Sequence, residues 1–227
     1  MAHIITFTGP DGVGKSTQAR ILARHLAKKS GIPITGKDLP NLMHFPYDEE
    51  TVVKELENIK SLVRWTLAPP FKTVPLSLED VQYALQLPFQ EDRVRAAGII
   101  AEKLQHMGTL VMDRYDVDTI LYSPAVPTAR WTNLLSLTPF KTDICFCLYG
   151  YRFAREAQPS DRLEGSCRKF LLYPPLSEEF VSGFLRQEFS KAFRSTIKVH
   201  AINVHGRSVD EISDVVFDTL HNEYGVL

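Results

Sequence analysis

Near the start of the 227-residue chain stand Gly9, Pro10, Asp11, Gly12, Val13, Gly14, Lys15 and Ser16, followed by Thr17, and they fit G-x-x-x-x-G-K-[ST]. Each residue type has a chemical reason at that spacing. Glycines let the backbone turn tightly, so that successive N–H groups face inward and cradle an anion. A helix beginning just after the loop adds its positive end. The amine of Lys15 then reaches the outer phosphates of a nucleoside triphosphate, and the Ser16 hydroxyl is placed to ligate Mg²⁺. Residues Gly9 to Thr17 are therefore expected to hold ATP with Mg²⁺, and Lys15 is expected to be exposed when the site is empty.

A second group follows a buried strand. Thr109-Leu-Val-Met112 runs directly into Asp113-Arg114-Tyr115. Polar residues after a buried parallel strand emerge at the carboxyl edge of the sheet, where α/β proteins bind ligands. Asp113 can there hold Mg²⁺ or take a proton, and Arg114 can grip a phosphate through two hydrogen bonds. A third group lies at 150–164, where Arg152, Arg155 and Arg162 share a polar stretch with Pro159 and Ser160. By composition alone this reads as a solvated charged loop; beside a nucleotide it also reads as a lid whose arginines clamp phosphate.

The elements that must position these residues can be read in order. Ile4 to Thr8, apolar and rich in β-branching, reads as the strand feeding the glycine loop. Thr17 to Lys29 reads as the helix leaving it, with Ile21, Leu22 and Leu26 as its apolar stripe. A strand ending at Leu42-Met-His-Phe45 is stopped by Pro46, and residues 51–64 read as a helix burying Val52, Val53, Leu56, Ile59 and Val63. Trp65 to Leu78, with three prolines among large apolar residues, reads as an ordered loop. A long helix, broken or kinked near Pro88, runs to about Met107, with Gly108 as its cap. Further strands are expected at Ile144–Leu148 and Lys198–Val204, and helices at Glu178–Phe193 and after the capping box Ser208–Glu211, the last burying Ile212, Val215, Val216 and Leu220. Alternating strands and helices predict an α/β fold with a mostly parallel sheet.

Composition narrows the class. The chain is 44% hydrophobic with a formal net charge of -1, which suits a compact α/β domain and calls for neither nucleic acid nor an anionic membrane as partner. No apolar run approaches the roughly 20 residues of a membrane span, and the first strand leaves no room for a leader. Cys145 and Cys147 alternate along a strand and Cys167 stands alone, a pattern of small buried residues in a reducing, cytoplasmic setting rather than of disulfides or zinc.

Together these residues resemble thymidylate kinase, of the P-loop nucleoside-monophosphate kinases, over nearly the whole chain. Gly9 to Gln18 resembles the family's GxDGxGKSTQ, Asp113 to Tyr122 its DRYxxSTxAY, Thr142-Asp143 its PD, and Asp161-Arg-Leu-Glu164 the DRxE of its lid. The resemblance implies a P-loop NTPase three-layer sandwich: a five-stranded, mostly parallel sheet flanked by helices, forming a single kinase domain over 1–227 with a lid at about 150–170. It implies a homodimer acting on a small-molecule nucleotide, with the γ-phosphoryl of ATP passing to dTMP. Carried over, Arg114 holds the acceptor phosphate and Asp113 serves Mg²⁺ or the attacking oxygen. Phe45 belongs to the acceptor site, Phe89 stacks on the base, and Arg93, four residues on and so on the same helix face, donates to the base carbonyl. Tyr122 packs on the deoxyribose, Asp11 faces the acceptor sugar, and Arg155 and Arg162 supply cationic help from the lid.

The departures all fall on the acceptor side. The family's F-P-x-R is here Phe45-Pro-Tyr-Asp48, an acid where an arginine meets the monophosphate, with Arg64 a candidate to compensate. Asp118 stands for the usual Ser, Leu121 for Ala and Ser123 for Gln. Asp48 fits a deoxynucleoside kinase, which phosphorylates a neutral 5′-hydroxyl and needs no phosphate-binding arginine. A nucleotide-binding regulatory protein that has kept the fold is a third reading, marked by slow ATP hydrolysis without an acceptor.

Overall fold

The computed structural model describes residues 3–9, 12–32, 34, 39–67, 76–123, 125–150 and 197–225. Pro10, Asp11, the side chain of Arg64, most of the proline-rich loop, the arginine-bearing lid and the expected 178–193 helix lie outside the described residues.

Five strands form one sheet: β1 (His3–Thr8), β2 (Leu42–His44), β3 (Thr109–Asp113), β4 (Ile144–Tyr149) and β5 (Lys198–Asn203), in the order β2-β3-β1-β4-β5. Every pairing is parallel. The central strands are buried on both faces, which is why β4 reads as a continuous apolar run. On one face, Ile5, Phe7, Val111 and Phe146 pack under α1 (Lys15–Lys29) through Leu22 and Leu26. On the other face lie α2 (Glu49–Leu67), α3 (Leu78–Arg95), α4 (Ala97–Met107), α5 (Asp116–Leu121) and α6 (Thr128–Ser136), with two apolar clusters meeting the sheet. Cys145 and Cys147 point together into one of these, buried against Val117, Ile120 and Leu135. Near the end of the chain, α7 (Val209–Thr219), continued by a π-helical turn at Leu220–Tyr224, returns to the face of α1 and buries Ile212 and Val216 there. Its capping box forms, the Ser208 N–H donating to Glu211 Oε2 at 2.7 Å and the Glu211 N–H to Ser208 Oγ at 3.2 Å.

Two expectations need correction. Helix α3 passes through Pro88 without ending; the chain turns instead at Ala96, which caps both α3 and α4. Ala96 is fully buried among Phe45, Ile100 and Tyr115, so tertiary packing places the break rather than the missing proline N–H. On α2, Val52 and Val63 are buried but Val53 is 45% exposed, because the helix starts at Glu49 and turns Val53 outward. Helices α5 and α6, too short to carry a clear periodicity, had no sequence assignment.

Register decides what shares the carboxyl edge. Phe7 and His44 both pair with Asp113, so the ends of β1, β2 and β3 are level, and the loops after them converge.

Candidate active site

Strand β1 ends at Thr8 and hands the chain to Gly9, whose φ of 131° suits glycine alone. A Cβ on Gly9 would lie 2.1 Å from the Leu148 carbonyl oxygen, so the loop lies flat on β4. Val13 is buried as the loop's anchor. Gly14, at φ 99°, caps α1 in the left-handed region with no side chain bonded to the first-turn N–H groups. A 15-residue helix thus opens on a glycine that offers its first turn no side-chain cap, at the end that favours an anion. Lys15 differs from expectation: it is 5% exposed, because the loop folds its amine inward, where its charge bears on Asp113 and Asp118. Ser16 is exposed at the mouth of the loop and Thr17 half-buried behind it.

Asp113 is the last residue of β3 and almost fully buried. His44, level with it on β2, brings Nδ1 to 2.9 Å from Oδ2, while Oδ1 is buried with no hydrogen-bond partner. Burial pushes the carboxyl up, but hydrogen bonds from His44 and Ser16 and the charge of Lys15 outweigh it and hold Asp113 below the usual carboxylate range. Arg114 follows with φ 66°, the one non-glycine residue in the left-handed region among those described. Its N–H continues the ladder by donating to the Phe7 carbonyl at 3.0 Å. The guanidinium carbon lies 5.7 Å from the centre of the Tyr122 ring, and the Tyr122 hydroxyl donates to the Gly9 carbonyl at 2.6 Å. Arg114, Tyr122 and the root of the loop are thereby brought together.

The remaining acceptor-side residues are held more tightly than sequence reasoning suggested. The Phe45 ring is buried 4.9 Å from Tyr115, centre to centre, as part of the core. Arg93 is 3% exposed and donates to Thr119 Oγ1 at 2.5 Å and the Tyr115 carbonyl at 2.8 Å, with Nε unpartnered. It braces the turn behind Arg114, whereas Phe89, four residues earlier on α3, is only half-buried. Asp48 has a plain structural use: Oδ1 accepts from the Thr51 N–H at 3.2 Å and caps α2. Asp92, fully buried on α3, accepts from the Tyr47 N–H at 2.6 Å and the Asp48 N–H at 2.9 Å, fixing the Phe45–Asp48 turn. Asp143 accepts from the Ile4 N–H at 2.8 Å, so Thr142-Asp143 ties β4 to β1. Sequence reasoning passed over His44 and Asp92. His44 had a findable signal, a polar residue ending an apolar strand; Asp92 had none, because its partners are backbone amides far along the chain.

The donor set suits a metal-bound triphosphate. Asp113 Oδ1 is buried and unpartnered, and the Ser16 hydroxyl and the Lys15 amine, both in the first turn of α1, act on the same carboxyl. Among the described residues no three His, Cys, Asp or Glu side chains cluster in a way that could hold a metal ion. No helix among them is long and apolar enough to cross a membrane.

No family model and no curated protein matches the chain. Solved structures do. Thymidylate kinase from Ehrlichia chaffeensis is 20% identical at a TM-score of 0.53, over 97% of this chain and 98% of that one. Thymidylate kinase from Candida albicans is 20% identical at a TM-score of 0.56, over 100% of this chain and 94% of that one. Such likeness speaks to the fold: over nearly its whole length, this chain has the α/β fold of those two thymidylate kinases.

Proposed function

We propose that this protein is a nucleoside-monophosphate kinase passing the γ-phosphoryl group of ATP to dTMP. The observation that carries the reading is the convergence at one sheet edge of a glycine loop opening a helix on left-handed Gly14, a buried Lys15, an Asp113 oxygen without a partner, and Arg114 held in a left-handed turn. In-line transfer to a phosphate oxygen needs little covalent assistance, so the protein's share is positioning and charge neutralisation. Lys15 and the loop amides hold the donor phosphates, and Arg114 orients the acceptor phosphate. Ser16 and Asp113 would hold Mg²⁺, which supplies charge neutralisation between the outer phosphates. Phe89 and Tyr122 flank the acceptor base and sugar, Arg93 braces the turn behind Arg114, and Arg155 and Arg162 reach in from the lid. The single kinase domain and homodimer implied by the resemblance belong to the same proposal.

Asp48 and Asp118 favour a second reading, a deoxynucleoside kinase, since each puts an acid where the family carries an arginine or a serine. ADP release by the purified protein with ATP and Mg²⁺, across dTMP, dUMP, thymidine and deoxycytidine, separates the two. Turnover with dTMP and none with the nucleosides is expected; turnover with thymidine alone overturns the first reading in favour of the second. Lys15→Met should remove transfer while circular dichroism reports the same fold; methionine is chosen because the site is buried, and transfer within tenfold of wild type would remove Lys15 from the mechanism.

A further inference from the structure

Asp118 is 7% exposed, and both of its oxygens are engaged. Oδ1 accepts from Thr8 Oγ1 at 2.9 Å and Oδ2 from the Tyr115 N–H at 3.0 Å. Thr8 adjoins Gly9 at the root of the glycine loop, and Tyr115 adjoins Arg114. One carboxylate therefore bridges the donor loop and the turn that presents the acceptor arginine. Tyr122, the C-cap of α5 one turn further on, grips the same junction through the Gly9 carbonyl. A serine hydroxyl, shorter and with one oxygen, could not make both of Asp118's contacts. The substitution also places a carboxyl in the field of Arg114 and Lys15: burial raises it, and the charges of Arg114 and Lys15 and the hydrogen bonds from Tyr115 and Thr8 favour its ionised form against that burial.

We propose that Asp118 is a specificity-determining residue that offsets the charge with which Arg114 meets the acceptor's phosphate, narrowing the advantage of a phosphorylated acceptor over the bare nucleoside. The inference rests on the reading above only in taking Arg114 as the acceptor-phosphate residue. A buried carboxylate bonded to the residue that follows Arg114 acts on a phosphate held there at reduced dielectric, while a neutral ligand in the same place feels little of it. The quantity set by Asp118 is thus a ratio of affinities, not an overall affinity.

The test is calorimetric binding of matched pairs (dTMP and thymidine, dUMP and deoxyuridine, dCMP and deoxycytidine) to wild type, Asp118→Ser and Asp118→Asn. Both substitutions should tighten the monophosphate about tenfold and change the nucleoside less than about twofold, raising the ratio. Thr8→Val, which removes one hydrogen bond and keeps the charge, should leave the ratio within about twofold. An unchanged ratio in both Asp118 variants overturns the proposal, as does an equal change in Thr8→Val, which would assign the effect to the bridge. Asp118→Asn, nearly isosteric, carries the test if the serine variant does not fold. Should a pair other than dTMP and thymidine bind, the thymidylate reading falls while the ratio still reports on Asp118. Binding of no pair to any variant would sink both.

Discussion

Arg114 is held in a backbone conformation that costs a non-glycine residue of order 1–3 kcal/mol, and nothing local to the ladder requires arginine there. Glycine would occupy φ 66° without strain, so the side chain's retention needs a reason beyond folding. Its position over Tyr122 and beside the glycine loop supplies one. Comparing Arg114→Gly with Arg114→Ala isolates the two effects. Both lose the guanidinium and should lose transfer to similar extents, by a hundredfold or more, on the order of an electrostatic transition-state contact. The glycine variant gives up the strain but gains unfolded-state entropy, so it should be as stable as the alanine variant or up to about 1 kcal/mol more stable. A glycine variant clearly less stable than alanine in urea titration would mean that the turn is not strained.

At the scale of elements, α3 and α5 act as clasps for the loops rather than as walls of a pocket. Asp92 on α3 holds two backbone amides of the Phe45–Asp48 turn, and its neighbour Arg93 holds the carbonyl of Tyr115. Asp92→Ala would bury two N–H groups without partners and should cost about 2–4 kcal/mol, read by chemical denaturation. Asp48→Arg restores the family's residue but removes the cap of α2; it should lower the melting temperature by a few degrees in circular dichroism, and an unchanged value would show the cap to be idle. These clasps also mark the limit of what could be read from sequence. The glycine loop, the strand before Asp113 and the box at Ser208 are local patterns, and each appears where its spacing predicts. The turn at Ala96, the burial of Lys15 and the partners of Asp92 depend on contacts between residues distant in sequence, which periodicity does not encode. Pro88 marked a break by its chemistry, yet burial against neighbouring elements carries α3 through it.

Across the whole molecule, the sheet edge that gathers the site is underlain by charge sealed beneath it. Asp116 accepts from Thr142 Oγ1 at 2.5 Å and from the Thr142 N–H at 3.2 Å, and Thr142 in turn meets Thr6 at 2.8 Å. Burial raises the Asp116 carboxyl, and Arg93 and Lys141 counter it only in part. Lys141 donates to the carbonyls of Leu135 and Thr138, capping the end of α6, and burial pulls its amine down to about 8 despite the attraction of Asp116. The sign of the linkage follows. In the unfolded chain a lysine keeps its proton to about 10.4, so between about 8 and 10.4 the unfolded state binds more protons than the folded one. Stability from this group is therefore full above the unfolded value and is lost as pH falls through about 8. Lys141→Met removes the titration, while Tyr115 and the buried thiols, shifted upward by burial in both proteins, cancel in the difference. The unfolding free energy of wild type minus that of Lys141→Met should accordingly rise from pH 8 to pH 10. A flat or falling difference would place the ammonium in water and leave Asp116 to Arg93 and Thr142 alone.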